Sequence, residues 1–367
     1  MIKNKIIFIH LLNDYSGSPK VLSQVIRAFQ KNDIKAELYA GKRENGFLSN
    51  LTVQHNHFFY KRLKNKYLTL ITYTLSQLIL FFKLLKYRNE DVIFYINTLL
   101  PFGAALAGKL IGKPVIYHIH ETSIRPKILK NFLRYIVQKC ASKIIFVSKS
   151  LQKDEAFPNQ KEYTVYNALP EEYRQEADQH KYTWRYNGNF NVLMICSLKA
   201  YKGVYEFLTI AQQCKSHPDI SFTLILNAEH SEIDTFFTTI EVPQNIIIVP
   251  RQTNLFPYYQ KASVVLNLSR VDEWVETFGL TIIEAMAFGI PVIVPPVGGP
   301  AEIVRDGVEG YCISSYEINL ITQKIIKLSN DETLCHEISA HGKKRCDDFS
   351  EIVFEQQIIK VLDDNQK

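Results

Sequence analysis

A chain of 367 residues is long for one domain and natural for two. Hydrophobic residues make up 46% of it and no low-complexity tract interrupts it, which excludes a disordered or fibrous chain. The net charge of +6 comes from Lys and Arg spread along the whole length; that suits an anionic small molecule or an acidic membrane surface, and no nucleic-acid partner is expected.

From the N-terminus the pattern alternates strand and helix, the mark of a parallel doubly wound sheet. Buried apolar runs predict strands at 5–10, 35–40, 92–96, 115–118, 143–147 and 163–166. Amphipathic spacing predicts helices at 20–31, 67–87, 102–111 and 128–140. After the first strand comes Asn13-Asp-Tyr-Ser-Gly17-Ser-Pro-Lys20, where Ser18 can cap the next helix and Pro19 suits its first turn. A strand, a glycine loop and a helix start make Gly17 and Ser18 a candidate phosphate contact, with an ordinary connection as the alternative.

The segment 61–88 places Lys61, Arg62, Lys64 and Lys66 before an apolar helix that ends with Lys83, Lys86 and Arg88. It reads either as a core helix with basic ends or as a surface lying on an anionic membrane. Further on, strand alternation puts His118 and His120 on one side, with His120 at the C-terminal end, where open parallel sheets bind ligands. Two histidines at this spacing, with Glu121 and no further ligand cluster, argue against a metal site.

Residues 169–190 are polar and form the expected linker between a first domain at 1–168 and a second at 191–349. The second opens with the buried strand Val192-Leu-Met-Ile-Cys-Ser197, then Lys202-Gly203 before a helical run over 204–211. A strand is predicted at 262–268, followed by Ser269-Arg-Val-Asp-Glu-Trp274-Val-Glu276, in which Arg270, Asp272 and Trp274 either shape a ligand site or lie in an exposed loop. In Glu276-Thr-Phe-Gly-Leu-Thr-Ile-Ile-Glu284 the apolar residues fall at helical spacing. A helix opened by Phe278-Gly279 puts Glu276 in the preceding loop and Glu284 about two turns inside, roughly 10 Å apart. The unpaired N–H groups of the helix start lie between the two acids and form an anion site. Beyond it come the strand run Ile290-Pro-Val-Ile-Val294, the glycine turn Val297-Gly298-Gly299-Pro300 and the turn pair Asp306-Gly307.

This ordered set resembles the retaining, nucleotide-sugar-dependent glycosyltransferases of family 4, from the first strand to about Val308 and most densely after Val192. The resemblance implies an α/β protein of GT-B fold, two Rossmann-like doubly wound domains facing across a cleft, with the last helix (350–367) crossing back to the first domain. It also implies a nucleotide sugar as co-substrate and a glycan or lipid-linked acceptor. Catalytic roles carry over to Glu276 at the transferred sugar, His120 near the donor sugar and Lys202 at the diphosphate. Donor contacts carry over to Gly17, Ser18, Lys202, Arg251, Phe278, Gly279, Leu280 and Glu284, the last on the ribose. Residues 250–255 are expected to line the base pocket. Two departures stand out: Ser16 replaces the first glycine of the family's loop pair, and Ser197 stands where the family often has an arginine, with Lys199 as a nearby cation.

No Asp-x-Asp acid pair of the metal-chelating kind occurs, so no metal or other cofactor is expected. The six cysteines, Cys140, Cys196, Cys214, Cys312, Cys335 and Cys346, lack Cys-x-x-Cys spacing and read as reduced and mostly buried. The first ten residues are too short and strand-like for a secretory signal. No window is expected to qualify as a transmembrane helix: the most apolar, 68–85, is interrupted by Thr69, Thr72, Thr74, Ser76, Gln77 and Lys83. The whole therefore reads as a cytoplasmic hexosyltransferase of envelope polysaccharide synthesis, peripheral on the membrane if 61–88 touches it. Two alternatives stay open: a catalytically weak nucleotide-sugar-binding subunit of a membrane glycan-assembly complex, and a same-fold nucleotide-sugar epimerase. Donor base, sugar, linkage and acceptor are not legible.

Overall fold

Seven parallel strands order the N-terminal part of the chain: β1 (Lys5–His10), β2 (Lys35–Gly41), β3 (Gln54–Phe58), β4 (Ile93–Asn97), β5 (Val115–Ile119), β6 (Lys143–Phe146) and β7 (Glu162–Thr164). The computed structural model that shows them describes residues 5–41, 46–63 and 65–364; Lys64 lies outside this set. The sheet order is β3-β2-β1-β4-β5-β6-β7, so the direction of winding reverses between β1 and β4. Strands β4 and β5 are buried along their length and β1 at every residue but Lys5, and all three are mostly apolar, as strands covered on both faces must be.

The second sheet holds β8 (Phe190–Cys196), β9 (Ile220–Leu226), β10 (Ile246–Val249), β11 (Val264–Leu266), β12 (Val292–Val294) and β13 (Gly310–Cys312). Its order, β10-β9-β8-β11-β12-β13, again reverses, here between β8 and β11. By their contacts the residues form two units: one runs to Asn167 and resumes at Ile352, the other spans Ala168–Glu351. The returning helix Glu351–Asp363 buries Phe354, Ile358, Val361 and Leu362. The buried Lys143 donates to the carbonyls of Val361 and Leu362, a cation at a helix C-terminus.

Three expectations change. Residues 169–190 are part of the second unit: they contain the helix Glu171–Asp178, Tyr182 donates to Ser263 O at 2.8 Å, and Trp184 Nε1 donates to Leu328 O at 2.9 Å. The helix after β1 starts at Gly17 with Ser16 in the cap position, so Ser18 lies in the first turn and does not cap it. Finally, the helical stretch Lys66–Asn89 is long and apolar enough to cross a membrane by length and composition. Three of the hydroxyls within it bond carbonyls one turn back: Thr72 to Thr69 O, Thr74 to Leu70 O and Ser76 to Tyr73 O. Its only charge between Lys66 and Lys86 is Lys83.

Candidate functional site

In the second unit, the loop after β8 is held by one glycine. Gly203 has φ +83°, and a Cβ there would stand 2.3 Å from Leu268 O. Only glycine fits both the left-handed backbone and this close approach. The contact carries Lys202, just before it, against the end of β11. Lys202 Nζ donates to Glu276 Oε2 at 2.6 Å and lies 3.5 Å from Ser269 Oγ.

Glu276 is fixed from the other side by the glycine pair. Gly299 N donates to Glu276 O at 2.9 Å. A Cβ on Gly298, whose φ is +73°, would approach Glu276 O to 2.4 Å, and one on Gly299 would approach Phe278 Cα to 2.3 Å. The turn from 297 to 300 is thus a cradle for residues 276–278, a role its sequence did not reveal. Burial pushes the Glu276 carboxyl up, but the Lys202 charge and hydrogen bonds from Lys202, Ser269 and Asn267 outweigh it and hold the group below the usual carboxylate range.

Gly279, at φ +105°, turns the chain into the helix Leu280–Ala287. The Phe278 ring is buried 5.8 Å from Phe349, which leaves the side chain unavailable to a ligand. Glu284 is buried in the second turn, where the fully buried Tyr259 donates to its Oε2 at 2.9 Å. No sequence signal marks Tyr259, in the short helix Phe256–Tyr259, as the partner of a residue 25 positions further on.

The other expected residues of this unit brace one another. Arg270 spans Glu206 and Glu273, each at 2.7 Å. Asp272 accepts from Tyr316 at 2.7 Å, and Trp274 stacks on Tyr201 with ring centroids 5.0 Å apart. Arg251 is tied to Asn227 Oδ1 at 2.6 Å and Glu229 Oε1 at 2.9 Å, which anchors residues 250–255 to the end of β9. Ser197 is partly buried and Lys199 is exposed.

In the first unit, His120 lies at the carboxyl end of β5 beside the reversal of the sheet. Its Nε2 donates to Asn97 Oδ1 at 2.8 Å, and Asn97 Nδ2 reaches Ser18 O at 3.1 Å and His10 Nδ1 at 3.2 Å. Asn97 thus joins the ends of β1, β4 and β5 to the Gly17–Ser18 helix start. No sequence signal marks it beyond its place at a strand end. Burial drives all three histidines toward the neutral form: His10 to about 4, His118 to about 3, and His120 well below its ordinary value. Burial has the opposite effect on Glu121, raising it to about 7 against hydrogen bonds from the Leu99 and His120 amides. His118 Nδ1 and the Tyr95 hydroxyl are hydrogen-bonded at 2.8 Å. Such neutral, hydrogen-bonded imidazoles do not exchange protons near neutral pH. Among the described residues, no group of three or more His, Cys, Asp or Glu is arranged to hold a metal ion, and all six cysteines are free.

Residues 176–345 match the family of glycosyl transferases group 1. The capsular polysaccharide biosynthesis glycosyltransferase CapM of Staphylococcus aureus is 24% identical over 300 residues, covering 75% of this chain and 78% of that protein. The N-acetyl-alpha-D-glucosaminyl L-malate synthase of Bacillus anthracis is 24% identical over 262 residues, 67% of each chain. Among solved structures, Anabaena HepE in complex with UDP and glucose superposes with a TM-score of 0.79 at 19% identity, covering 99% of this chain and 100% of that one. TarM does so with a TM-score of 0.76 at 13% identity over 99% of each. At these identities the structural likeness establishes the fold, which is GT-B.

Proposed function

We propose that this chain, whose residues 176–345 match the glycosyl transferases group 1, is a retaining hexosyltransferase using a UDP- or GDP-sugar. Its proposed acceptor is a glycan or a lipid-linked glycan in cell-envelope polysaccharide synthesis, reached from the cytoplasmic side with 61–88 on an anionic membrane. The observation that carries the reading is the Lys202–Glu276 contact at the strand ends where the second sheet reverses, with Glu284 buried in the second turn of the next helix. HepE, which shares the fold, was crystallised with UDP and glucose, and CapM is named for capsular polysaccharide synthesis.

Lys202 and the helix start at Leu280 neutralise the leaving diphosphate, whose negative charge grows as its bond to the sugar breaks. Glu276, held ionised, faces the positive charge that develops on the sugar ring. Glu284, oriented by Tyr259, takes the ribose hydroxyls. Gly17 and Ser18 supply a further phosphate contact, His120 a hydrogen bond to the sugar, Arg251 and its loop the edge of the base site. Charge neutralisation by a lysine and backbone amides makes the proposed transfer independent of a divalent ion.

A thermal-shift screen of UDP-, GDP- and ADP-sugars identifies the donor, and nucleoside diphosphate release with an added acceptor measures transfer. One donor class raising the melting temperature, with release that depends on acceptor, is the expected result. Binding without release under any acceptor would favour the non-catalytic subunit.

A further inference from the structure

We propose that two helices of the first unit, Lys66–Leu84 and Lys127–Cys140, form a single membrane-docking face for an anionic bilayer. This rests on the membrane part of the reading above and enlarges it, because the second helix was not part of the segment 61–88.

Winding from β3 to β4, β4 to β5 and β5 to β6 always moves in one direction across the sheet. Right-handed crossovers then put the three connecting helices on one face. Helix Phe102–Leu110 packs between the other two: the Phe102 ring is 5.8 Å from Tyr73 and 5.2 Å from Phe132. The first helix buries Tyr73, Ser76, Gln77, Leu80 and Leu84. Its opposite side shows an apolar stripe at helical spacing, with Ile71 63% and Phe82 67% exposed and Leu75 and Leu78 about half so. The second helix buries Leu133, Ile136, Val137 and Cys140 and turns outward Ile128, 83% exposed, Phe132, and Tyr135, 60% exposed. Lone exposed apolar side chains are ordinary, but two parallel stripes on one helical layer are not.

The charge around the stripes identifies the occupant. No acidic residue occurs between Glu44 and Glu90, and Lys61, Arg62 and Lys66 stand at one end of the first helix with Lys83, Lys86 and Arg88 at the other. On the second helix Lys130 and Arg134 share the buried Glu155, one negative charge between two cations, while Lys127 and Lys139 remain exposed. A second copy of this chain would set cation against cation whether the helices met parallel or antiparallel. Anionic headgroups match both ends at once, and the stripes enter the acyl boundary. The polar buried side rules out a spanning role for the first helix in this fold: Tyr73 donates to Leu100 O, and Gln77 Oε1 accepts from Gly103 N at 3.1 Å.

The test is co-sedimentation of the full chain with vesicles of phosphatidylcholine alone or with phosphatidylglycerol, without donor or acceptor. The protein should pellet on the anionic vesicles only, and high salt should release it. Ile71→Glu with Leu75→Glu, and separately Ile128→Glu with Tyr135→Glu, should each weaken binding more than tenfold. Lys61→Ser with Arg62→Ser, which disturbs no packing, should weaken it roughly fivefold per charge. If only the first pair matters, the two-helix face is wrong while contact through 61–88 survives. If wild-type protein stays in the supernatant on anionic vesicles, both are wrong. A dimer in light scattering that either glutamate pair dissolves would assign the face to a second copy and overturn the proposal.

Discussion

Lys202 and Glu276, 74 residues apart in sequence, meet at 2.6 Å, and the lysine sets the charge state of the acid. Burial alone would raise the Glu276 carboxyl; the lysine charge is the largest influence that lowers it. A group whose folded value is lowered stabilises the protein above its ordinary pKa, and that contribution is lost as pH falls through the folded value. The acid side of the activity profile should therefore extend below the usual Glu range in the wild type. In Lys202→Ala the burial effect is left unopposed, so the acid limb of kcat/KM should move up by about one to three pH units, beyond any loss of rate. Lys202→Arg should keep the limb near its original place. An unmoved limb in Lys202→Ala would show that Glu276 is not the group being read.

Glu276→Ala separates sugar from nucleotide. Its carboxylate is assigned to the place where charge develops, so turnover should fall roughly 10²–10³-fold. Nucleoside diphosphate affinity, measured by calorimetry, should stay nearly intact. Near-normal turnover would remove Glu276 from the chemistry.

Glu284→Ala should behave in the opposite way, because a ribose contact is made in ground and transition states alike. A hydrogen bond to a charged group contributes about 1.5–3 kcal/mol, so the free nucleotide should bind roughly ten- to hundredfold more weakly. Tyr259→Phe should give a smaller loss of about 0.5–1.5 kcal/mol, since it removes only the 2.9 Å hydrogen bond that orients the acid. Calorimetry on the two variants checks the order; equal losses would mean that Tyr259 itself touches the nucleotide.

The strands were legible because a strand buried on both faces must be mainly apolar, and β1, β4, β5 and β8 are. Strand β3 was not, because Gln54–Phe58 has one neighbour and buries only Phe58. Helix Lys149–Glu155 is likewise too short and polar to show a period. At the site, Lys202, Glu276 and Glu284 were visible as residue types at family spacing, while their partners were not. Asn97 and Tyr259 act through contacts 79 and 25 residues away along the chain, to Ser18 and Glu284. The cradle at Gly298 and Gly299 exists only once β12 brings it beside residues 276–278. Sequence spacing carries the chemistry of such a site, and long-range packing decides which groups hold it in position.

Activity should survive a chelator. The proposed phosphate site is a lysine and a helix start, whereas a nucleotide-sugar enzyme needing Mg²⁺ or Mn²⁺ normally gathers acids near the diphosphate. Transfer is measured in EDTA and again after adding metal back. Loss in chelator with recovery in Mn²⁺ would make the His118–Glu121 and Asp272–Glu273 groups the first ligands to test.

The buried histidines of the first unit predict its acid sensitivity, with the sign fixed by their direction. His10 and His118 titrate at about 4 and about 3 when folded but near 6.5 when unfolded, and burial also lowers His120 well below its ordinary value. Between these limits the unfolded chain binds more protons, so stability is complete above pH 6.5 and is lost as pH falls toward 4. Glu121 opposes this: its folded value of about 7 favours the folded state at low pH, with the advantage lost as pH rises from 4.5 through 7. Three histidines against one carboxyl leave a net gain of stability with rising pH. Hydrogen exchange of the β1 and β5 amides at pH 4.5, 5.5 and 6.5 follows this unit by itself. His118→Gln removes one titrating group, so its stability should climb less steeply, by about 1.4 kcal/mol per pH unit. Equal slopes in variant and wild type would mean that His118 already carries a proton in the folded protein.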